Sequence, residues 1–220
     1  MKRVLLATIT ENDQCFSTFA SSLAQTIRVG LSSNVDVLPV FLPSTGNWAM
    51  AANRAITIAH QHELDGVVFV SPSVGWNPEN FLDLCTTDKD AAVIPVATRS
   101  GFDITLGEIA RLQEDEKTGE IKIFGASLDF FYLSEYAIEK LCETHPTVTY
   151  LGEDCKLILQ SGDIYSSYHT HAEVLAYRLS ELGIEMWVNP LHTAHRQDTI
   201  EYTSDFATVL KQVKDGQGDG

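Results

Sequence analysis

Four short apolar runs recur within the first hundred residues: Val4 to Thr8, Val35 to Leu42, Gly66 to Val70 and Ala91 to Ala97. The strongest of them, Gly-Val-Val-Phe-Val, ends abruptly at Ser71-Pro72-Ser73. A strand that is apolar on both faces belongs inside a parallel sheet with helices above and below it. The segments between the runs read as those helices. Cys15 to Leu31 carries Phe16, Phe19, Leu23, Ile27 and Leu31 at helical spacing, and Ala49 to His62 places Ala52, Ile56 and Ala59 on one stripe. Asn77-Pro78-Glu79 supplies a cap and a first-turn proline to a shorter helix holding Phe81, Leu82 and Leu84. Strand and helix therefore alternate, the pattern of an α/β sheet covered on both faces. Pro39 weakens the second run, because proline donates nothing to a ladder.

The second half is less regular. Phe102 to Gly119 is polar and charged and reads as a loop or a mobile helix. Ile121 to Phe124 reads as a strand, Ser134 to Cys142 as a helix capped by Ser134, and Tyr150 to Gly162 as a further strand. His171 to Leu182 is an amphipathic helix stopped by Gly183, and Met186 to Val188 is a strand closed by Asn189-Pro190. A length of 220 residues suits one domain, over residues 1–214, with 215–220 as a flexible tail.

The formal charge of −15 repels phosphate backbones and anionic lipid heads. Nucleic acid is thus disfavoured as a partner, except as a modified-base acceptor, and so is a membrane. Arg99, Arg111, Lys117 and Lys122 read as scattered solvated charges. Cys15, Cys85, Cys142 and Cys155 form no C-x-x-C pair and read as reduced thiols. No signal segment and no long apolar run is present, so the expected location is the cytoplasm, or the host cytoplasm for a viral protein.

Open α/β sheets bind ligands at the carboxyl ends of their strands. Four loops qualify: Thr8 to Glu11, Pro43 to Gly46, Ser71 to Ser73 and Thr98 to Gly101. All are rich in hydroxyls or turn residues, which suit a sugar or a phosphate and equally suit ordinary turns. No Walker A loop, G-x-G-x-x-G, H-E-x-x-H or G-x-S-x-G is present. His169/His171 and His192/His195 cluster in sequence, which alone is weak support for a metal site.

The order of segments resembles GT-A glycosyltransferases, particularly small phage-type ones. It is carried by Ala52-Asn53-Arg54-Ala55, then Asp65 to Val70, then Ser71-Pro72-Ser73-Val74-Gly75-Trp76-Asn77-Pro78-Glu79. Asp88 to Val93, Phe124 to Ala126 through Tyr136 to Leu141, Tyr177-Arg178 through Gly183, and Trp187 to His195 follow in the family's order. The resemblance covers about residues 3 to 205 and implies a GT-A-like mixed, mostly parallel sheet flanked by helices, with a Rossmann-like N-terminal half. It departs from the family at two places. Ser71-Pro72-Ser73 stands where Asp-x-Asp would hold a divalent cation, and His171-Ala172 falls where a Glu-Asp pair would head the closing helix. Hydroxyls are poor ligands for a hard cation, so neither Mn nor Mg is expected as cofactor.

The resemblance implies a nucleotide sugar as ligand, contacted by Thr8, Thr10, Arg54, Ser71 and Ser73, with Arg99 and His195 offsetting diphosphate charge. Glu173 or Asp163 would be the base. Transfer to a hydroxyl acceptor without a metal is one reading. The other is a pseudoenzyme, a catalytically inactive GT-A-fold binding module whose acidic surface fits a protein partner with a basic face.

Overall fold

The computed structural model describes residues 1–11, 14–99, 101–106, 112–160, 162–164, 167–197, 202–203, 206–207 and 210. In chain order the strands are β1 (Lys2–Thr10), β2 (Val35–Pro43), β3 (Gly66–Val70), β4 (Val74–Trp76), β5 (Ala91–Val93), β6 (Ala97–Thr98), β7 (Gly101–Phe102), β8 (Ile104–Thr105), β9 (Ile121–Ile123) and β10 (Gly125–Ala126). They continue as β11 (Phe130–Ser134), β12 (Thr147–Tyr150), β13 (Glu153–Lys156), β14 (Gly162–Ile164), β15 (Ser167–His169), β16 (Met186–Val188), β17 (Ala194–Arg196) and β18 (Tyr202–Thr203). The helices are α1 (Ser17–Ser32), α2 (Trp48–Gln61), α3 (Pro78–Thr86), α4 (Glu135–Thr144) and α5 (His171–Glu181).

Seven strands form the central sheet in the order β2-β1-β3-β11-β5-β16-β9. β11 and β9 run against the other strands, so the sheet is mixed and mostly parallel. Alternate residues feed two cores. Leu5, Ala7, Val67, Phe69, Phe131 and Leu133 face α2, α4 and α5, where Ala52, Ile56, Leu141 and Leu175 meet them. Val4, Leu6, Val68, Phe130 and Tyr132 face α1 and α3, packing with Phe19, Phe81 and Trp76. Pro39 is tolerated because β2 is an edge strand.

Three expectations change. The sequence pattern does not mark Phe130–Ser134 as a strand, yet β11 lies at the sheet's centre, antiparallel between β3 and β5. Its Phe-Phe-Tyr-Leu run is buried on both faces and so carries no alternation. The run from Ala91 stops at Val93 rather than Ala97; Pro95, with no N–H to give, follows Ile94, whose N–H still reaches the Phe130 carbonyl at 3.1 Å. Tyr150 to Gly162 is not one strand. β12 and β13 form a hairpin turning at Leu151 and Gly152, both at positive φ. Of the polar stretch from 102 to 119, residues 107–111 lie outside the described residues, as do Arg111 and the 215–220 tail.

Candidate functional site

The register of β11 on β3 decides what surrounds the turn after β3. Phe130 lies opposite Val70, which sets Asp129 beside Ser71, and the Ser71 N–H donates to the Asp129 carbonyl at 2.9 Å. The tripeptide is tied down along its length. The Pro72 carbonyl accepts from Phe16 N–H at 2.9 Å, and the Ser73 carbonyl accepts from Gln197 N–H at 2.8 Å. Its two hydroxyls converge, with Ser71 Oγ 3.1 Å from Ser73 Oγ. All three residues are half-buried, and Ser71, Asp129 and Trp48 help line a small recess of about 40 Å³.

β17 brings the cation. It pairs antiparallel with β4 so that Arg196 lies opposite Val74, one residue past Ser73, and the Arg196 guanidinium forms a short ion pair with Asp129. Asp129 is joined in turn to Asp103 through Ser127, whose Oγ lies 2.5 Å from Asp103 Oδ2 and 2.9 Å from Asp129 Oδ2. One hydroxyl proton cannot serve two carboxylates. Loss of solvent lifts the Asp103 carboxyl to about 6, and the neighbouring Asp129 charge pushes the same way. A protonated Asp103 donating to Ser127, which then donates to Asp129, satisfies every member. The other Asp103 oxygen, Oδ1, accepts the Val96 N–H at 2.8 Å.

Asp103 and Ser127 also line a groove of about 760 Å³. Ala172, Ala176 and Tyr177 of α5, Phe124 to Ala126 and the Lys122–Glu185 ion pair (2.6 Å) line it as well. Phe124 is 64% exposed on its rim. Glu173 lines the same groove but is engaged as the capping box of α5. Its Oε2 accepts from Thr170 N–H at 2.7 Å and Thr170 Oγ1 at 2.9 Å, and those bonds hold its carboxyl below the usual range. Such a carboxylate is a weak proton acceptor. Glu173→Ala is expected to lower stability by about 1 kcal/mol, measured by urea denaturation.

The other sequence-derived candidates sit as follows. Arg54 forms an ion pair with Glu153 of β13 at 2.7 Å. Thr8 and Thr10 are buried within β1, and no partner of Thr8 Oγ1 is found among the described residues. Arg99 is exposed beside the β6–β7 pair. His195 lies opposite Gly75 and, by strand alternation, on the other face of its small sheet from Arg196. Its ring packs so closely there that a Cβ on Gly75 would fall 2.4 Å from Nε2. Asp163 lies in β14, and its side chain is outside the described residues. His171 stacks on Trp48 at 4.6 Å, and burial lowers its pKa. The structure thus brings Ser71 and Ser73 together with three residues that sequence reasoning missed: Asp103, Asp129 and Arg196. The one legible signal was Asp129, a carboxylate heading an apolar run.

The donors after β3 do not fit a hard divalent cation. They are two hydroxyls and one carboxylate already committed to a guanidinium, and no group of three metal-ligating side chains is found among the described residues. Among those residues no helix is long and apolar enough to cross a membrane.

No protein-family profile and no curated protein sequence matches the chain. Its fold is similar to that of A197 from STIV, at a TM-score of 0.54 and 12% identity over 89% of this chain and 86% of that one. Weaker likenesses extend to mannose-1-phosphate geranyltransferase from Thermus thermophilus (TM-score 0.41, 9% identity, 66% of this chain and 61% of that one). Inositol-1-phosphate CTP transferase from T. maritima gives 0.43 and 7% identity over 86% and 84%. At such identity the likeness to A197 shows a shared fold.

Proposed function

We propose that this chain is a glycosyltransferase-like protein that binds a nucleotide sugar at the carboxyl edge of its sheet and transfers the sugar to a hydroxyl without a divalent cation. One observation carries the reading: a single hydrogen-bonded chain, Asp103–Ser127–Asp129–Arg196, joins the groove beside α5 to the turn after β3. A diphosphate at Ser71 and Ser73 and an acceptor hydroxyl in the groove then lie on either side of it. In transfer the acceptor oxygen bonds to the anomeric carbon, the bond to the diphosphate oxygen breaks, and ionised Asp103 takes the hydroxyl proton. A carboxyl near 6 is better matched to that task at neutral pH than Glu173.

The binding-module reading keeps one specific support. Glu173 and Arg54, which the resemblance marks as functional, are engaged in a helix cap and a hairpin ion pair. Calorimetry with a panel of nucleotide sugars, with and without manganese, separates the two. Binding of at least one donor, unchanged by manganese, is expected, together with slow donor hydrolysis that Asp103→Asn abolishes. Failure to bind any donor would leave the binding module as the better account.

A further inference from the structure

We infer that Arg196 is a built-in cation for a diphosphate at the Ser71-Pro72-Ser73 turn, and that Asp129 holds its guanidinium in place until the anion takes it over. The inference rests on the reading of this edge as a diphosphate site, and it begins from the misfit between that turn and a metal. An acidic protein of charge −15 needs a local cation to hold a diphosphate. Of the cations named above, Arg54 is tied to Glu153, and Lys122 to Glu185. Arg196 is fixed by strand register one residue beyond the pair for Ser73.

Its chemistry suits the task. The planar guanidinium matches adjacent phosphate oxygens bidentately and keeps its charge at any working pH. Arg196 Nε is shielded from water and has no hydrogen-bond partner among the described residues, so this N–H is left over when the Asp129 pair is made. Ser71 and Ser73 share one hydroxyl proton with each other, and both turn outward to an anion at no loss of hydrogen bonds. Asp129 is not orphaned when Arg196 moves to the ligand while Asp103 holds its proton, because Ser127 Oγ, 2.9 Å away, then donates to it. The ion pair is therefore an internal competitor. It keeps a half-buried guanidinium neutralised when the site holds no anion and weakens anion binding by the work of parting it.

That arrangement makes two predictions of opposite sign. The test is calorimetry on the full chain in chelator, with inorganic pyrophosphate and UDP as probes. Arg196→Gln is expected to weaken both by on the order of tenfold to a hundredfold, with Arg196→Lys between it and the parent because the bidentate fork is lost. Asp129→Asn removes the competing charge and is expected to tighten both several-fold, a gain that misfolding cannot imitate. Thermal melts of Arg196→Gln, and of the double variant with Asp129→Asn, separate lost binding from lost folding. Unchanged binding in folded Arg196→Gln, or weaker binding in Asp129→Asn, overturns the inference. The nucleotide reading fails separately. Should UDP bind no better than pyrophosphate while both depend on Arg196, the built-in cation stands and the nucleotide does not. Tight UDP binding indifferent to Arg196 has the reverse meaning, and absence of binding by either probe sinks both.

Discussion

Replacing Asn53 with alanine is expected to lower folding stability by about 3 to 5 kcal/mol, a large part of the total for a domain of this size. Asn53 is fully buried on α2, and its side chain anchors the segment after β13. Its Nδ2 donates to the Leu159 carbonyl at 2.9 Å, and its Oδ1 accepts from Ile158 N–H at 3.1 Å and Leu159 N–H at 2.7 Å. Alanine leaves those three backbone groups buried without partners and opens a void where the amide stood. Urea denaturation monitored by circular dichroism reads the change. A midpoint within experimental error of the parent would show that the 157–160 segment finds other partners. The same contacts explain Asn53-Arg54 as a pair. Both reach toward the chain after β12, Asn53 to Ile158 and Leu159 and Arg54 to Glu153, and so brace that segment against α2.

Asp103→Asn is expected to change how stability depends on pH. The Asp103 carboxyl is raised from 3.8 to about 6 in the folded chain, chiefly by loss of solvent. Below the lower value both folded and unfolded chains hold the proton, and the residue has no pH-dependent effect. Between the two values the folded chain keeps a proton that the unfolded chain has lost, so this residue's contribution to stability falls as pH rises. Above the upper value the penalty is complete, about 2 kcal/mol once the solvent that still reaches the group is allowed for. Asparagine copies the protonated acid: Oδ1 accepts from Val96 N–H and Nδ2 donates to Ser127 Oγ. The variant should therefore gain on the parent by about 2 kcal/mol between about pH 3 and about pH 7, while losing the proton acceptor assigned to transfer. A stability difference that is flat across that range would mean that Asp103 does not carry the shared proton.

The two substitutions bear on different parts of the molecule. Asn53 reports on the scaffold, and Asp103 reports on the hydrogen-bonded chain that links the groove to the turn after β3. A protein that loses stability in the first and gains it over the parent in the second as pH rises has its polar chain where the structure puts it. Their sites share no partner, so their effects should add.

The alternation of apolar and amphipathic segments placed β1, β2, β3, α1, α2, α3 and α5 within a few residues, because strand and helix periodicities are local properties. Asn77-Pro78 and Ser134 marked helix starts for the same reason: the cap and the N–H it satisfies lie three residues apart or fewer. The turn at Ser71-Pro72-Ser73 was equally legible, since β3 ends there by running out of apolar residues.

What joins that turn to other residues was not legible. β11 has no periodicity to read, since both of its faces are buried, and its antiparallel insertion between β3 and β5 sets Asp129 beside Ser71. Arg196 arrives from more than a hundred residues downstream through the pairing of β17 with β4, and strand alternation puts it, rather than the neighbouring His195, on the face toward Asp129. Asp103 owes its raised pKa to loss of solvent and to the nearby Asp129 charge, which outweigh the opposing bonds from Ser127 and Val96, and only packing creates that setting. Local pattern fixed the elements and where they stop. Strand order and register, which depend on contacts between residues far apart in sequence, decided which side chains meet at their ends.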